Sequence, residues 1–146
     1  EDGIRDTSVT GVQTCALPIL KGQVHMTKIL YVEDNEDNVY MLSRRLKRKG
    51  FEIVIATDGE MGVEMASSEN PDLILMDLSL PKMDGWTATK TIKSKDELNN
   101  IPIIALSAHA MEEHKKRALE AGCNDYDTKP VDIKRLLEKI NKQLGL

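Results

Sequence analysis

Aromatic side chains are scarce in this 146-residue chain: one Trp, three Tyr and one Phe make up 3% of it. A core must therefore be filled by aliphatic side chains and by the seven methionines. Cysteine is scarcer still. Cys15 and Cys123 make no disulfide framework, which fits a reducing compartment and a cytoplasmic protein. Basic residues are not in excess: 20 Lys and Arg stand against 24 Asp and Glu, a formal charge of −4. That balance gives no electrostatic footprint for nucleic acid. No run of about 18 uncharged apolar residues occurs, so no membrane span is expected. The glycine-rich patterns that cradle nucleotide phosphates are also missing. What is present suits one globular domain with its own core: 40% hydrophobic and 30% charged residues in a chain of ordinary domain length.

The first 25 residues differ from the rest. Gly3, Gly11, Pro18 and Gly22 interrupt any helical or strand period. A secretion signal is not expected, because the chain opens Glu1-Asp2 and its short apolar stretch is broken by Pro18. Residues 1–19 resemble the translation of a sequencing adapter, with Thr7-Ser8 as a variable index. Residues 1–25 are therefore expected to be a non-native or disordered extension, with Met26 as the natural start and the domain spanning 26–146.

Within that span, short apolar runs alternate with helical patterns. The runs are Ile29–Val32, Ile53–Ala56, Leu73–Met76 and Ile103–Leu106. Continuous apolar runs of about four residues suit parallel strands buried on both faces. A polar fifth strand near Asp125–Thr128 suits an edge. One helical segment carries Val39, Leu42 and Leu46 before Gly50, and others lie at 59–68, 85–94, 110–121 and 133–144, with Gly50 and Gly122 as stops and Asp132 as a cap. The last carries the clearest stripe, Ile133, Leu136, Leu137, Ile140 and Leu144. The fourth is thinly apolar. Five β-α repeats imply an α/β, doubly wound parallel sheet with helices on both faces.

Ligands of such sheets bind beyond the carboxyl ends of the strands. Those ends carry Glu33 and Asp34 after the first strand, Asp77 at the end of the third, Ser107 after the fourth and Lys129 after the fifth. Thr57 and Asp58, after the second, read as turn chemistry. Three carboxylates held together repel one another, and a hard divalent ion such as Mg²⁺ removes that cost. Beside an ammonium and a hydroxyl, Asp77 is placed to accept a phosphoryl group. Taken singly, Glu33-Asp34 also fits a solvated helix start, and Ser107 and Lys129-Pro130 are common residues in such positions. Asp77 is harder to dismiss, because a lone buried carboxylate is costly. His109 and His114 are badly spaced for a metal. Trp86 reads as a surface residue or partial packing, Lys115-Lys116-Arg117 as a solvated face, and Cys123 as a small buried residue.

The chain here resembles receiver domains of bacterial response regulators, in particular stand-alone, CheY-like ones. The resemblance rests on Lys28–Asn35 (KILYVEDN), Pro71–Leu78 with Pro81–Gly85, Ile103–Ala108 and Tyr126–Pro130, and covers residues 28–146. It implies a flavodoxin-like (βα)5 sandwich with strand order 2-1-3-4-5. It implies that Asp77 takes a phosphoryl group from a phosphohistidine of a sensor histidine kinase or a histidine phosphotransfer protein. Asp34, Asp77 and the Ser79 backbone carbonyl would ligate Mg²⁺, with Glu33 helping. Lys129 would pair with phosphorylated Asp77, while Ser107 and Tyr126 would couple the site to the face of the fourth helix, fifth strand and fifth helix. The bond before Pro130 is expected to be cis. Ser79 and His109 occupy positions that tune dephosphorylation. The downstream target is not specified, and a monomer or a phosphorylation-linked dimer fits. No enzyme activity is expected beyond autocatalytic phosphorylation and dephosphorylation. Two alternatives stand: a phosphorylation-independent interaction module, and an Asp-nucleophile phosphohydrolase. The haloacid-dehalogenase-like form of the latter usually has an acid where this chain has Ser79.

Overall fold

Successive strand residues point into two different cores, and this alternation organises the molecule. The computed structural model describes residues 26–80, 82–108 and 112–145. Its elements are β1 (Lys28–Val32), α1 (Glu36–Arg48), β2 (Glu52–Ala56), α2 (Gly59–Glu69), β3 (Leu73–Asp77), α3 (Gly85–Lys93), β4 (Ile103–Ser107), α4 (Glu112–Ala121), β5 (Asp125–Thr128) and α5 (Ile133–Leu144). All strand pairs are parallel and the order is β2-β1-β3-β4-β5. Leu30, Val32, Ile74, Met76, Ile103 and Ala105 face one core, closed by Val63 and Ala66 of α2, Ala88 and Ile92 of α3 and Ala118 of α4. Ile29, Tyr31, Leu73, Leu75, Ile104 and Leu106 face the other, closed by Leu42 and Leu46 of α1 and Leu136 and Ile140 of α5. The period of two in a pleated strand makes this division unavoidable.

The central strands β3 and β4 are buried along their whole length. The second run departs from the sequence expectation of burial on both faces. Among the described residues β2 pairs only with β1 and lies at a sheet edge, so Glu52 is exposed and Val54 and Ile55 are half-buried. Its composition resembles a central strand because it still packs on helices. β5 takes the other edge, as its polar sequence suggests.

Asn and Asp start four helices at the rim where the strands end. Asn35, Asp58, Asp84 and Asp132 accept hydrogen bonds from the main-chain N–H groups of Asn38, Met61, Thr87 and Lys134 at 3.0, 2.8, 2.8 and 2.9 Å. Each such cap is worth about 1 kcal/mol. Gly50 and Gly122 follow α1 and α4 with φ of 95° and 114°, as stops in left-handed backbone.

The helices are not held equally. α5 buries Leu136 and Ile140, each worth about 2–3 kcal/mol. α4 buries only Ala118 and Ala121, far less apolar area. It gains a second hold instead: the Arg117 guanidinium stacks over the Trp86 ring of α3 at 3.9 Å, and His114 lies beside the same ring at 5.8 Å. The Lys115-Lys116-Arg117 run is thus a solvated face with one residue stacked on a neighbouring helix. Trp86 is half-buried and Cys123 is buried, where burial pushes its thiol up to about 11. The expectations for residues 1–25, including Cys15, and for His109 lie outside the described residues.

Candidate functional site

β1 and β3 are adjacent in the sheet, so their carboxyl ends deliver Glu33, Asp34 and Asp77 to one place. The Glu33 N–H extends the β1 ladder to the Ala56 carbonyl at 2.9 Å, and the Leu78 N–H extends β3 to the Leu106 carbonyl at 3.0 Å. Carboxylate oxygens of Glu33, Asp34 and Asp77 lie within 4.8 Å of one another. Lys129 reaches the same point from β5. Its main-chain N–H is held by the Ser107 carbonyl at 2.8 Å, and the Lys129-Pro130 bond is cis, as expected.

The two acidic neighbours after β1 have different environments. Glu33 is 1% exposed, Asp77 is 3% exposed, and Asp34 is exposed. Lys129 Nζ donates to Glu33 Oε1 at 2.8 Å and lies 3.4 Å from Asp77 Oδ1. Tyr31 Oη donates to the same Glu33 oxygen at 3.2 Å, and the Asn35 N–H donates to Glu33 Oε2 at 3.3 Å. Asp77 Oδ1 accepts from the Ser79 N–H at 3.2 Å. Ser107 ends β4, Tyr126 lies in β5, and both are buried.

These contacts sort the charges. Burial raises both acids. For Glu33 it is outweighed by the hydrogen bond from Lys129 and by a proton shared toward Asp77, so Glu33 lies below its ordinary range. For Asp77, burial and then the charge of Glu33 win over Lys129 and push it up to about 6. Burial alone would lower Lys129, but Glu33 and Asp77 hold it above its usual value. Tyr31 is raised by burial and by Glu33. The cluster thus carries three carboxylates against one ammonium, and Asp77 is the acid whose ionisation is disfavoured. That excess of negative oxygen, with one exposed carboxylate at the mouth, fits a hard divalent cation that keeps part of its water shell.

Sequence reasoning missed Tyr31 and Asn35 as supports of Glu33. The period-two spacing of Tyr31 from Glu33 was the available signal for the first. The partition of Glu33 to Lys129, closer than Asp77, had no local signal.

Comparison with known proteins agrees with this geometry. The response regulator receiver domain family matches residues 29–141, and the chain belongs to that family. The polar-differentiation response regulator DivK of Brucella ovis is 38% identical over 121 residues, covering 82% of this chain and 98% of the relative. Among solved structures, the receiver domain of sensor histidine kinase PA1611 from Pseudomonas aeruginosa, with magnesium coordinated in its active-site cleft, is 34% identical. Its TM-score is 0.78, over 84% of this chain and 100% of that one. A co-crystal of the Saccharomyces cerevisiae phosphotransfer protein Ypd1 with the receiver domain of Ssk1 gives 32% identity and a TM-score of 0.77, over 82% of this chain and 90% of that one. The fold is therefore CheY-like, and the protein is a response regulator receiver of two-component signalling. Among the described residues no helix is long and apolar enough to cross a membrane.

Proposed function

We propose that this chain is a stand-alone response regulator of a two-component system or phosphorelay, with Asp77 as phosphoacceptor. A phosphohistidine of a sensor kinase or phosphotransfer protein would supply the group. A carboxylate oxygen of Asp77 forms the new O–P bond as the P–N bond to the donor imidazole breaks, and the imidazole retains the electron pair and takes up a proton from solvent. The carrying observation is the buried carboxylate of Asp77 at a strand end, within one cluster with Glu33, Asp34 and Lys129. Mg²⁺, when bound, neutralises charge on the transferring oxygens. Asp34, Asp77 and the Ser79 carbonyl would hold it, with Glu33 in support. Lys129, already 3.4 Å from Asp77, would stay with the phosphorylated side chain. The Ser107 hydroxyl would bind the new phosphoryl oxygens, and Tyr126 would carry the change to the α4-β5-α5 face.

Incubation with acetyl phosphate and Mg²⁺ should add one phosphoryl group per chain, and Asp77→Asn should abolish it. Labelling that survives in Asp77→Asn overturns the assignment. Lys129→Ala should retain more than a tenth of the labelling yet lose most of the phosphorylation-dependent change on the α4-β5-α5 face, read by hydrogen exchange. A phosphorylation-independent module gives no reason for a carboxylate to be buried against a second one, so the phosphoacceptor reading is favoured.

A further inference from the structure

The β3–α3 loop carries Ser79 beside Asp77 and ends at the α3 cap Asp84, and its outer part rests on the first turn of α2. Two contacts make that seat. Lys82, in left-handed backbone at φ 65°, places Nζ 3.8 Å from Asp58 Oδ2. Gly59 lies flat against Met83: a Cβ at Gly59 would overlap the Met83 carbonyl oxygen and sit 2.8 Å from both the carbonyl carbon and Cβ of Met83. Most of what it would strike is main chain, so no rotamer change relieves the overlap.

The other end of the loop is pinned in the same way. A Cβ at Gly85 would overlap the Asp77 carbonyl oxygen. Nor is α2 free to retreat, because Gly62 packs so near β1 that an added Cβ would lie 3.0 Å from Val32 Cγ2. Any side chain at position 59 must therefore displace the loop. We infer that Asp58 and Gly59 are positioning residues: they seat the β3–α3 loop so that the Ser79 main chain stays in register with Asp77, and they thereby set the Mg²⁺ affinity of the site. The inference rests on the phosphoacceptor reading above. Mg²⁺ requires near-ideal octahedral geometry, so a displacement of about 0.5 Å at a ligating carbonyl is enough to weaken it.

The test is calorimetric titration of MgCl₂ into the metal-free full chain, with hydrogen exchange at the Ser79 amide as a metal-independent readout. Gly59→Ala should weaken Mg²⁺ binding at least tenfold and raise Ser79 amide exchange before any metal is added. Asp58→Asn keeps an oxygen for the Met61 N–H but removes the charge opposite Lys82, and should weaken binding two- to threefold while the protein remains folded. If Asp34→Ala abolishes binding while Gly59→Ala and Asp58→Asn bind as the unaltered chain does, this inference alone is overturned. An unaltered chain that binds no Mg²⁺ overturns both it and the reading beneath it.

Discussion

Asp77 is stored at a cost in the metal-free protein. Its ordinary value of 3.8 is raised to about 6 by burial and by Glu33. An acid raised in the folded state holds its proton more tightly folded than unfolded. Its contribution therefore favours the fold least at neutral pH: the penalty is absent below about pH 4, grows as pH rises, and is complete above about pH 6. Asp77→Asn removes it. In metal-free buffer at pH 7 that variant should be about 1–3 kcal/mol more stable to urea, and the advantage should shrink toward zero near pH 4. An advantage independent of pH would contradict the charge origin. Glu33 is a separate case, because Lys129, Tyr31 and the Asn35 N–H all serve it. Glu33 and Asp34 look like one acidic pair in the sequence, and nothing local says that only the first is buried. The contacts decide it: Lys129 of a distant strand end and Tyr31 close over Glu33, while Asp34 stays at the exposed mouth.

Among the elements, β5 and α5 are joined by charge rather than by apolar area. Arg135 Nε donates to Asp127 Oδ1 at 2.7 Å, and Lys139 Nζ lies 3.3 Å from Asp125 Oδ1. The same cations donate to the Thr128 and Tyr126 carbonyls at 3.3 and 2.7 Å. They cover a strand edge that would otherwise invite pairing with another chain. Asp127 is 4% exposed, and its second oxygen has no hydrogen-bond partner among the described residues. Arg135→Ala leaves that buried carboxylate without its counterion and should cost about 1–3 kcal/mol in urea unfolding. A neutral result would mean that water replaces the lost hydrogen bond. The position of β5 at an edge was legible from its polar residues. Its clamp was not, because Arg135 and Lys139 read as the ordinary polar face of an amphipathic helix. β2 shows the converse: its apolar run reads as a central strand, and only the pairing order puts it at the other edge.

For the whole molecule, Mg²⁺ binding at the acidic cluster, as proposed above, would be linked to folding. A ligand that binds only the folded state adds stability that grows with its concentration. Mg²⁺ at ten times its dissociation constant should contribute about 1.4 kcal/mol. That should raise the melting temperature by about 5 °C, and chelation should reverse the shift. The shift should vanish in Asp34→Ala, and its persistence there would place the ion elsewhere. The site itself depends on long-range closure: Glu33 and Lys129 are 96 residues apart yet 2.8 Å in contact.

The sequence by itself determined the alternation of strands and helices, the Asp132 cap of the last helix, and the identity of the groups at the strand ends. Those are properties of local periodicity and of single side chains. Tertiary structure alone decided which acid loses its water, which pairs with Lys129, and that Gly59 must be bare where Met83 crosses it. Desolvation and close approach depend on atoms contributed by distant parts of the chain, and no local pattern carries them.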